Sequence, residues 1–307
     1  KCIKSLIKQN YPKDKYEIIP VNDASNDETR SLIETFNLKY SQINIVNIDH
    51  DSSNGKLNAI DIGISQSKGE IIITTDADVW MGKNWIKSLV KGFDSKTGMV
   101  IGLAIESINN KIINYFQLLD ASIIRVVSLS LVEMNIPITC QGANLAFKKD
   151  AYLEVRERVL NLAKKFGNRE WLMQEIDLAT NWSIKTVFSK DSIVLTHSPK
   201  NWFTLINQRS RWASTGKHYS KISIRIYLLF IYLSMLNFIL IPFIFSFKIV
   251  LLFFLVKFLV DILVAVSIIK VLEMPRLYFA FPIAFILQPI IVVISGFLGS
   301  IGLYRWK

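Results

Sequence analysis

The stretch from Ile226 to the C-terminus constrains this chain most. Ile226 to Phe245 is an almost uninterrupted apolar run, and about 20 such residues are what an α-helix needs to cross a hydrocarbon core. Ile249 to about Ile269 is a second run, carrying Lys257 and Asp261 at i, i+4. Leu277 to Leu303 is a third, with Pro282 and Pro289 inside it. Buried helices of soluble proteins rarely run this long and apolar in series, so three membrane spans are expected. Lys217, Lys221 and Arg225 cluster just before the first run, and Lys270 and Arg276 lie between the second and third. By the positive-inside rule these place the preceding part of the chain on the cytoplasmic face of a bacterial-type inner membrane. Arg305 and Lys307 would then lie outside, a mild counter-signal. The expected division is a folded part over 1–221 and a membrane part over 222–307.

Charge is unevenly spread. The net charge is +11 over 307 residues, but charged residues thin out after Arg225. Phosphate-bearing ligands and an anionic lipid face are the partners such a charge implies. No nucleic-acid-binding motif is present, so nucleic acid is not expected as a partner. Cys2 and Cys140 make no disulfide framework and suit a reducing compartment. The chain opens on Lys1 in what reads as the middle of a helix, so a fragment lacking its N-terminal strand is expected. No cleavable signal peptide is visible.

Before the apolar runs, strands and helices alternate. Cys2 to Gln9 reads as a helix ended by Asn10-Tyr11-Pro12. Tyr16 to Val21 reads as a strand, followed by a helix from Glu28 to about Phe36 with Asp27 as N-cap. Ile43 to Ile48 is a strand, 49–54 a loop, and Gly55 to about Gln66 a helix. Ile71-Ile72-Ile73-Thr74 reads as a strand buried on both faces, running into Asp76-Ala77-Asp78. Met99 to Ala104 and Ile193 to Thr196 are further strands, and Gln141 to Phe147 joins a turn to a short strand. Ile112 to Glu133, Arg169 to about Trp182 and Trp202 to Lys217 are helices. Ile112 to Glu133 carries few charges, Asp120 and Arg125 among them. A membrane-surface or acceptor-facing helix and an ordinary packing helix both fit it. The alternation implies an α/β fold with a mostly parallel sheet and right-handed crossovers.

Asp76 and Asp78 carry the chemistry. Two carboxylates at i, i+2, where a strand ends and the chain turns, can converge on one hard cation, Mg²⁺ or Mn²⁺. Ligands of open α/β sheets sit outside the carboxyl ends of the strands. A solvated turn would give the same short pattern.

Taken in order, the motifs resemble the family 2 glycosyltransferases, inverting enzymes of the GT-A fold. The membrane-bound branch of cellulose and hyaluronan synthases and lipid glycosyltransferases looks most similar. The resemblance runs from about Ser5 to Trp212. It rests on Ser5-Leu6 with Gln9-Asn10-Tyr11-Pro12, Val21-Asn22-Asp23-Ala24-Ser25-Asn26-Asp27, Gly55-Lys56 with Asn58-Ala59, and Thr75-Asp76-Ala77-Asp78. Gly142-Ala143-Asn144 and Gln208-Arg209-Ser210-Arg211-Trp212 complete the series. The resemblance implies a GT-A nucleotide-sugar-binding domain followed by transmembrane helices. It also implies transfer of a sugar from a nucleoside-diphosphate donor, UDP-linked, to a lipid or polysaccharide, with metal-assisted loss of the diphosphate.

Residue by residue, the resemblance makes Asp23 a contact to the nucleobase or ribose, Asp76 the nucleotide-side carboxylate and Asp78 the direct metal ligand. Lys56 would add a point charge near the nucleotide. Gly142, Ala143 and Asn144 would lie on the acceptor side. Gln208, Arg211 and Trp212, at i, i+3 and i+4, share one helix face. Arg211 can donate two parallel hydrogen bonds to a diphosphate, and Trp212 offers a flat ring to a sugar or a packing anchor at a membrane interface. An inverting transfer needs a carboxylate base, supplied in the family by a Glu-Asp or Asp-Asp pair opening a helix. No such pair occurs here. Glu170 opens the helix, Glu175 fits if Gln174-Glu175-Ile176-Asp177-Leu178 stands for the family's Glu-Asp-x-Asp-Leu, and Asp177 follows at i+2. The missing pair leaves a second reading open, a nucleotide-binding scaffold subunit of a glycan synthesis or export complex. A transporter built on the spans, suggested by Lys257 and Asp261, is a third.

Overall fold

The computed structural model describes residues 1–48, 55–108, 112–166, 170–219 and 221–305. In chain order the elements begin α1 (Cys2–Ile7), β1 (Val21–Asp23), α2 (Thr29–Asn37), β2 (Val46–Ile48), α3 (Gly55–Gln66), β3 (Ile71–Thr74) and β4 (Trp80–Met81). They continue with α4 (Trp85–Val90), β5 (Thr97–Gly102), β6 (Ala104–Glu106), α5 (Ile112–Glu133), β7 (Leu145–Lys148), α6 (Lys149–Phe166), α7 (Glu170–Ala179), β8 (Ser183–Val187) and β9 (Val194–Thr196). Last come α8 (Trp202–Thr215), α9 (Ile222–Ile244), α10 (Phe247–Leu272) and α11 (Phe281–Ser300). The described residues form two compact units, Lys1–Ala104 with Ser128–Thr196, and Ile105–Val127 with His197–Lys307.

In the first unit β1 and β2 pair in parallel, joined by the single crossover helix α2. Pro20, which has no N–H to give a ladder, delays β1 to Val21; before it only Ile18 bridges to Ile43. Asp27 acts one position earlier than expected. Its carboxylate accepts the Thr29 N–H at 3.0 Å, while Glu28 occupies the cap position without a side-chain bond.

The main sheet runs β3-β7-β5-β8. It is mixed rather than mostly parallel. β5 and β8 are parallel, but β7 runs against both β3 and β5. Alternation of strands and helices fixes parallel pairing only where one helix returns the chain to the same sheet. α5, between β5 and β7, belongs to the second unit over its first part. The Asp-x-Asp strand β3 is consequently an edge strand, half-buried along its length rather than covered on both faces. The fully covered strand is β5, whose Met99, Val100 and Ile101 are 0% exposed. Val79, Met81, Trp85, Ile86, Leu89, Val100, Ala146 and Val194 make the core behind it.

One buried carboxylate ties α3 to α6. Asp61 accepts both arms of Arg156, at 2.6 and 2.7 Å, and the Tyr152 hydroxyl at 2.7 Å. Burial pushes the Asp61 carboxyl up, but the hydrogen bonds from Arg156 and Tyr152 outweigh it and hold the group below its ordinary value. Neither α6 nor β8 stands out in the amino-acid pattern.

In the second unit α11 lies on α8. A Cβ at Gly299 would come within 2.4 Å of the Ser210 carbonyl, so only glycine permits that approach. Phe238, Phe254, Phe258, Phe281 and Phe285 interlock α9, α10 and α11, with Phe238 and Phe254 stacked at 4.3 Å. α9, α10 and the stretch Pro275–Ser300 are each long and apolar enough to cross a membrane, matching the three expected runs. α5 also meets that measure, but half of it is buried in protein, as a packing helix requires. Pro282 sits in the first turn of α11, where its missing N–H has no intrahelical partner to lose. Lys257 and Asp261 form an ion pair, and the Lys257 ammonium lies 5.0 and 4.9 Å from the Phe238 and Phe285 rings.

The Asp61 clamp gives a pH-dependent expectation. Because its folded pKa is depressed, its stabilisation is present above about pH 4, the ordinary aspartate range, and is lost as pH falls below it. Asp61→Asn should lower stability at pH 7 by roughly 2 kcal/mol, the value of charge-assisted bonds. It should also flatten the loss of stability between pH 5 and 3 in thermal melts of the detergent-solubilised chain.

Candidate active site

The Asp-x-Asp turn is built from the end of β3. The Val79 N–H donates to the Asp76 carbonyl at 3.1 Å, closing a turn that leaves Ala77 and Asp78 exposed. β4 follows at once and pairs antiparallel with β9, Trp80 opposite Leu195. α1 packs against β4, the Met81 N–H donating to the Ser5 hydroxyl at 3.4 Å; just past the helix the Gln9 amide donates to the Gly82 carbonyl at 2.7 Å and accepts the Ile86 N–H at 3.0 Å. The two carboxylates thus stand on a short turn pinned at both ends. Burial pushes the Cys2 thiol up to about 11, and the Asp76 and Asp78 charges add to it.

Lys56, in the first turn of α3, donates to the Asp76 carboxylate at 2.8 Å. The structure therefore brings together two residues that lie 20 positions apart in sequence. Among the described residues no cluster of three or more His, Cys, Asp or Glu could hold a metal. Two carboxylates on an exposed turn, one already bound to an ammonium, suit a hard divalent ion that completes its shell with water and phosphate oxygens. They do not suit a closed cage of protein ligands.

Asp23 ends β1 opposite Ile48, and Ala24 after it takes a left-handed φ of 48°. The Asn22 and Asn47 side chains bond across the two strands at 3.1 Å, and the Asn22 carbonyl oxygen accepts the Ser25 N–H at 3.3 Å. These bonds fix the polar turn that carries Asp23. The expected loop over 49–54 lies outside the described residues.

Gly142 joins the end of β3, where the Thr74 hydroxyl donates to its carbonyl at 3.2 Å. Ala143 packs against the core. Asn144 has another task. It is 0% exposed, accepts the Trp85 indole N–H at 2.9 Å, and donates to the Leu103 and Ser192 carbonyls at 2.8 and 2.7 Å. All the capacity of its amide nitrogen is spent on that clasp. Gly102 is glycine because a Cβ there would lie 2.5 Å from the Asn144 amide.

Glu170 is the first residue of α7; its side chain and residues 167–169 lie outside the described residues. Glu175 sits in the middle of α7, buried, with the Arg158 guanidinium 3.6 Å from its carboxylate. Asp177 is half-buried in the last turn of the helix.

Gln208, Arg211 and Trp212 belong to the second unit. Asn201 caps their helix, α8, through a reciprocal pair of bonds with Thr204, its carbonyl oxygen taking the Thr204 N–H at 2.9 Å. Trp212 is 38% exposed. The guanidinium carbons of Arg209 and Arg125 lie over its ring at 4.7 and 5.8 Å. Arg209 donates to Asp120 at 2.7 Å, and Arg125 holds Glu106 through two bonds of 2.7 Å. Glu106 and Arg209 went unmarked as site residues in the amino-acid pattern. A signal existed in Asp120 and Arg125, rare charges on an apolar helix, which an interior can keep only if each has a partner.

The family model described as "Glycosyl transferase family 2" matches residues 1–155. The probable glycosyltransferase YdaM of Bacillus subtilis is 26% identical over 226 residues, covering 70% of this chain and 51% of that protein. The beta-monoglucosyldiacylglycerol synthase of Synechocystis is 23% identical over 236 residues, covering 70% and 44%. The poly-beta-1,6-N-acetyl-D-glucosamine synthase of Staphylococcus aureus is 26% identical over 211 residues, covering 66% and 48%. The chain thus spans about half the length of the curated relatives it matches. In fold it is similar to the mannosyltransferase PcManGT of Pyrobaculum calidifontis, solved with GDP-Man and Mn²⁺. The TM-score is 0.60 at 16% identity, over 97% of this chain and 81% of that one.

Removing the Asn144 amide strands a buried indole N–H and two carbonyls. Asn144→Ala should therefore lower stability by about 3 kcal/mol. The loss should appear as an earlier thermal transition of the detergent-solubilised chain.

Proposed function

This chain belongs to glycosyl transferase family 2, and from that membership we propose that it is a membrane-anchored, inverting glycosyltransferase. Its donor is a nucleoside-diphosphate sugar, UDP-linked, and its acceptor a lipid or polysaccharide. Residues 1–221 form the catalytic part on the cytoplasmic face, and 222–307 anchor it among membrane lipids. The observation that carries the reading is the pinned Asp76-Ala77-Asp78 turn with Lys56 bound to Asp76. The names of the Synechocystis and Staphylococcus relatives support a lipid or polysaccharide acceptor. The Mn²⁺ in the PcManGT complex, a protein of the same fold, agrees with a divalent ion.

The roles follow from the chemistry of each group. Asp23 accepts hydrogen bonds from the nucleobase or ribose. Asp78, with Asp76, would hold a Mg²⁺ or Mn²⁺ ion, which when bound neutralises charge on the departing diphosphate. Lys56 adds a point charge on the nucleotide side. Arg211 presents two parallel donors to phosphate oxygens, Gln208 shares its helix face, and Trp212 gives a sugar ring an apolar surface. On the acceptor side Gly142 and Ala143 contribute backbone and a small surface, with Asn144 holding them in place.

A carboxylate then takes the proton from the acceptor hydroxyl. The oxygen attacks the anomeric carbon from the face opposite the diphosphate, and the C–O bond to the diphosphate breaks with inversion. Glu170 is the first candidate for this base and Glu175 the second, with Asp177 two residues further on.

Nucleotide release from a UDP-sugar by membranes carrying Asp78→Ala should fall at least 100-fold, on the scale of losing a group that stabilises transition-state charge; unchanged turnover would remove the metal assignment. Glu170→Gln and Glu175→Gln separate the bases. The base variant keeps donor binding by calorimetry and loses transfer by roughly 10²- to 10⁴-fold. If both variants turn over normally, the base lies at neither position; donor binding by the parent chain with no transfer to any acceptor would instead favour the scaffold reading.

A further inference from the structure

The buried charges of the second unit converge on one side chain. Glu106 is 1% exposed at its side chain and Arg125 10%; Asp120 is 4% exposed and Arg209 8%. Each guanidinium lies over the Trp212 ring, and each is held by its own carboxylate. A buried ion pair adds little stability over well-packed apolar side chains of equal volume, because desolvation consumes its attraction. Two such pairs on one indole therefore call for a role in geometry. A guanidinium over an aromatic face is attracted to it, and the attraction strengthens when water is excluded. The carboxylates fix where each guanidinium sits, and the guanidiniums fix the ring plane.

We propose that Glu106 and Asp120 are positioning residues that orient the Trp212 indole through Arg125 and Arg209. This rests on the reading of Trp212 as the sugar-facing ring. Neither carboxylate touches the reacting groups; each acts only through the ring it orients.

The test pairs a spectroscopic with a kinetic measurement on the full chain in detergent. The near-ultraviolet circular dichroism of Trp212 is isolated as the parent spectrum minus that of Trp212→Phe. Glu106→Gln and Asp120→Asn should each change that difference spectrum while leaving the far-ultraviolet spectrum unaltered, and Glu106→Asp should restore part of it. In nucleotide release, each carboxylate variant should lower kcat/KM roughly tenfold, the scale of a misplaced contact group. In a Trp212→Ala background the same substitution should add less than about twofold, because non-additivity marks residues acting as one unit. Effects that multiply in the double variant, or an unchanged Trp212 spectrum, overturn the positioning role. A changed spectrum with full activity in Trp212→Ala leaves the positioning in place and overturns instead the reading of Trp212 as the sugar-facing ring. Should Glu106→Gln fail to fold, Asp120→Asn and Glu106→Asp carry the same comparison.

Discussion

The first unit depends on one buried amide. Asn144 gathers the Trp85 indole, the Leu103 carbonyl after β5 and the Ser192 carbonyl before β9, so three segments distant in sequence share one polar centre. A buried amide left without partners is unfavourable, which is why the clasp specifies a single arrangement. Around it the layout of the candidate site follows. Gly102 vacates the space beside the amide, β7 runs into the middle of the sheet, and the Thr74–Gly142 bond holds the end of β3 where the Asp-x-Asp turn begins. Packing against β5 supplies the energy, since burial of apolar area is the dominant favourable term. The amide decides which packing.

The second unit is organised differently. Its apolar helices have phenyl rings and glycine contacts to join them, and those specify shape weakly. Direction comes from two carboxylate–guanidinium pairs and from the close approach that Gly299 allows. The charged pairs sit on β6, α5 and α8, whereas α9 and α10 turn most of their apolar surface outward.

Much of this was readable from the residues alone, for definite reasons. The three apolar runs are long enough to announce themselves, and Asp76-Ala77-Asp78 stands at the end of a strand because Ile71-Ile72-Ile73 has no other use. The ordered series of motifs set Lys56 near the expected nucleotide, and the structure sets its ammonium on Asp76. Pairing direction was not, because antiparallel β7 has the same composition as a parallel strand. The edge position of β3 was hidden for the same reason: a run of isoleucines looks alike at an edge and in the middle of a sheet. Asn144 could not be told from a ligand-facing asparagine, since what its amide bonds is decided by Leu103 and Ser192, 41 and 48 positions away. Glu106 was silent until folding set it against Arg125.

Lys257 and Asp261 carry a consequence for biogenesis. A lone lysine or aspartate at mid-bilayer is unfavourable by about 3 kcal/mol, so α10 entering lipid by itself would carry an uncovered polar stripe. The pair cancels its formal charge within one turn, and the ammonium finds its remaining solvation on Phe238 of α9 and Phe285 of α11. α10 therefore reaches its most comfortable state only between its two neighbours. That makes α10 a helix whose polar stripe is covered only once α9 and α11 stand beside it.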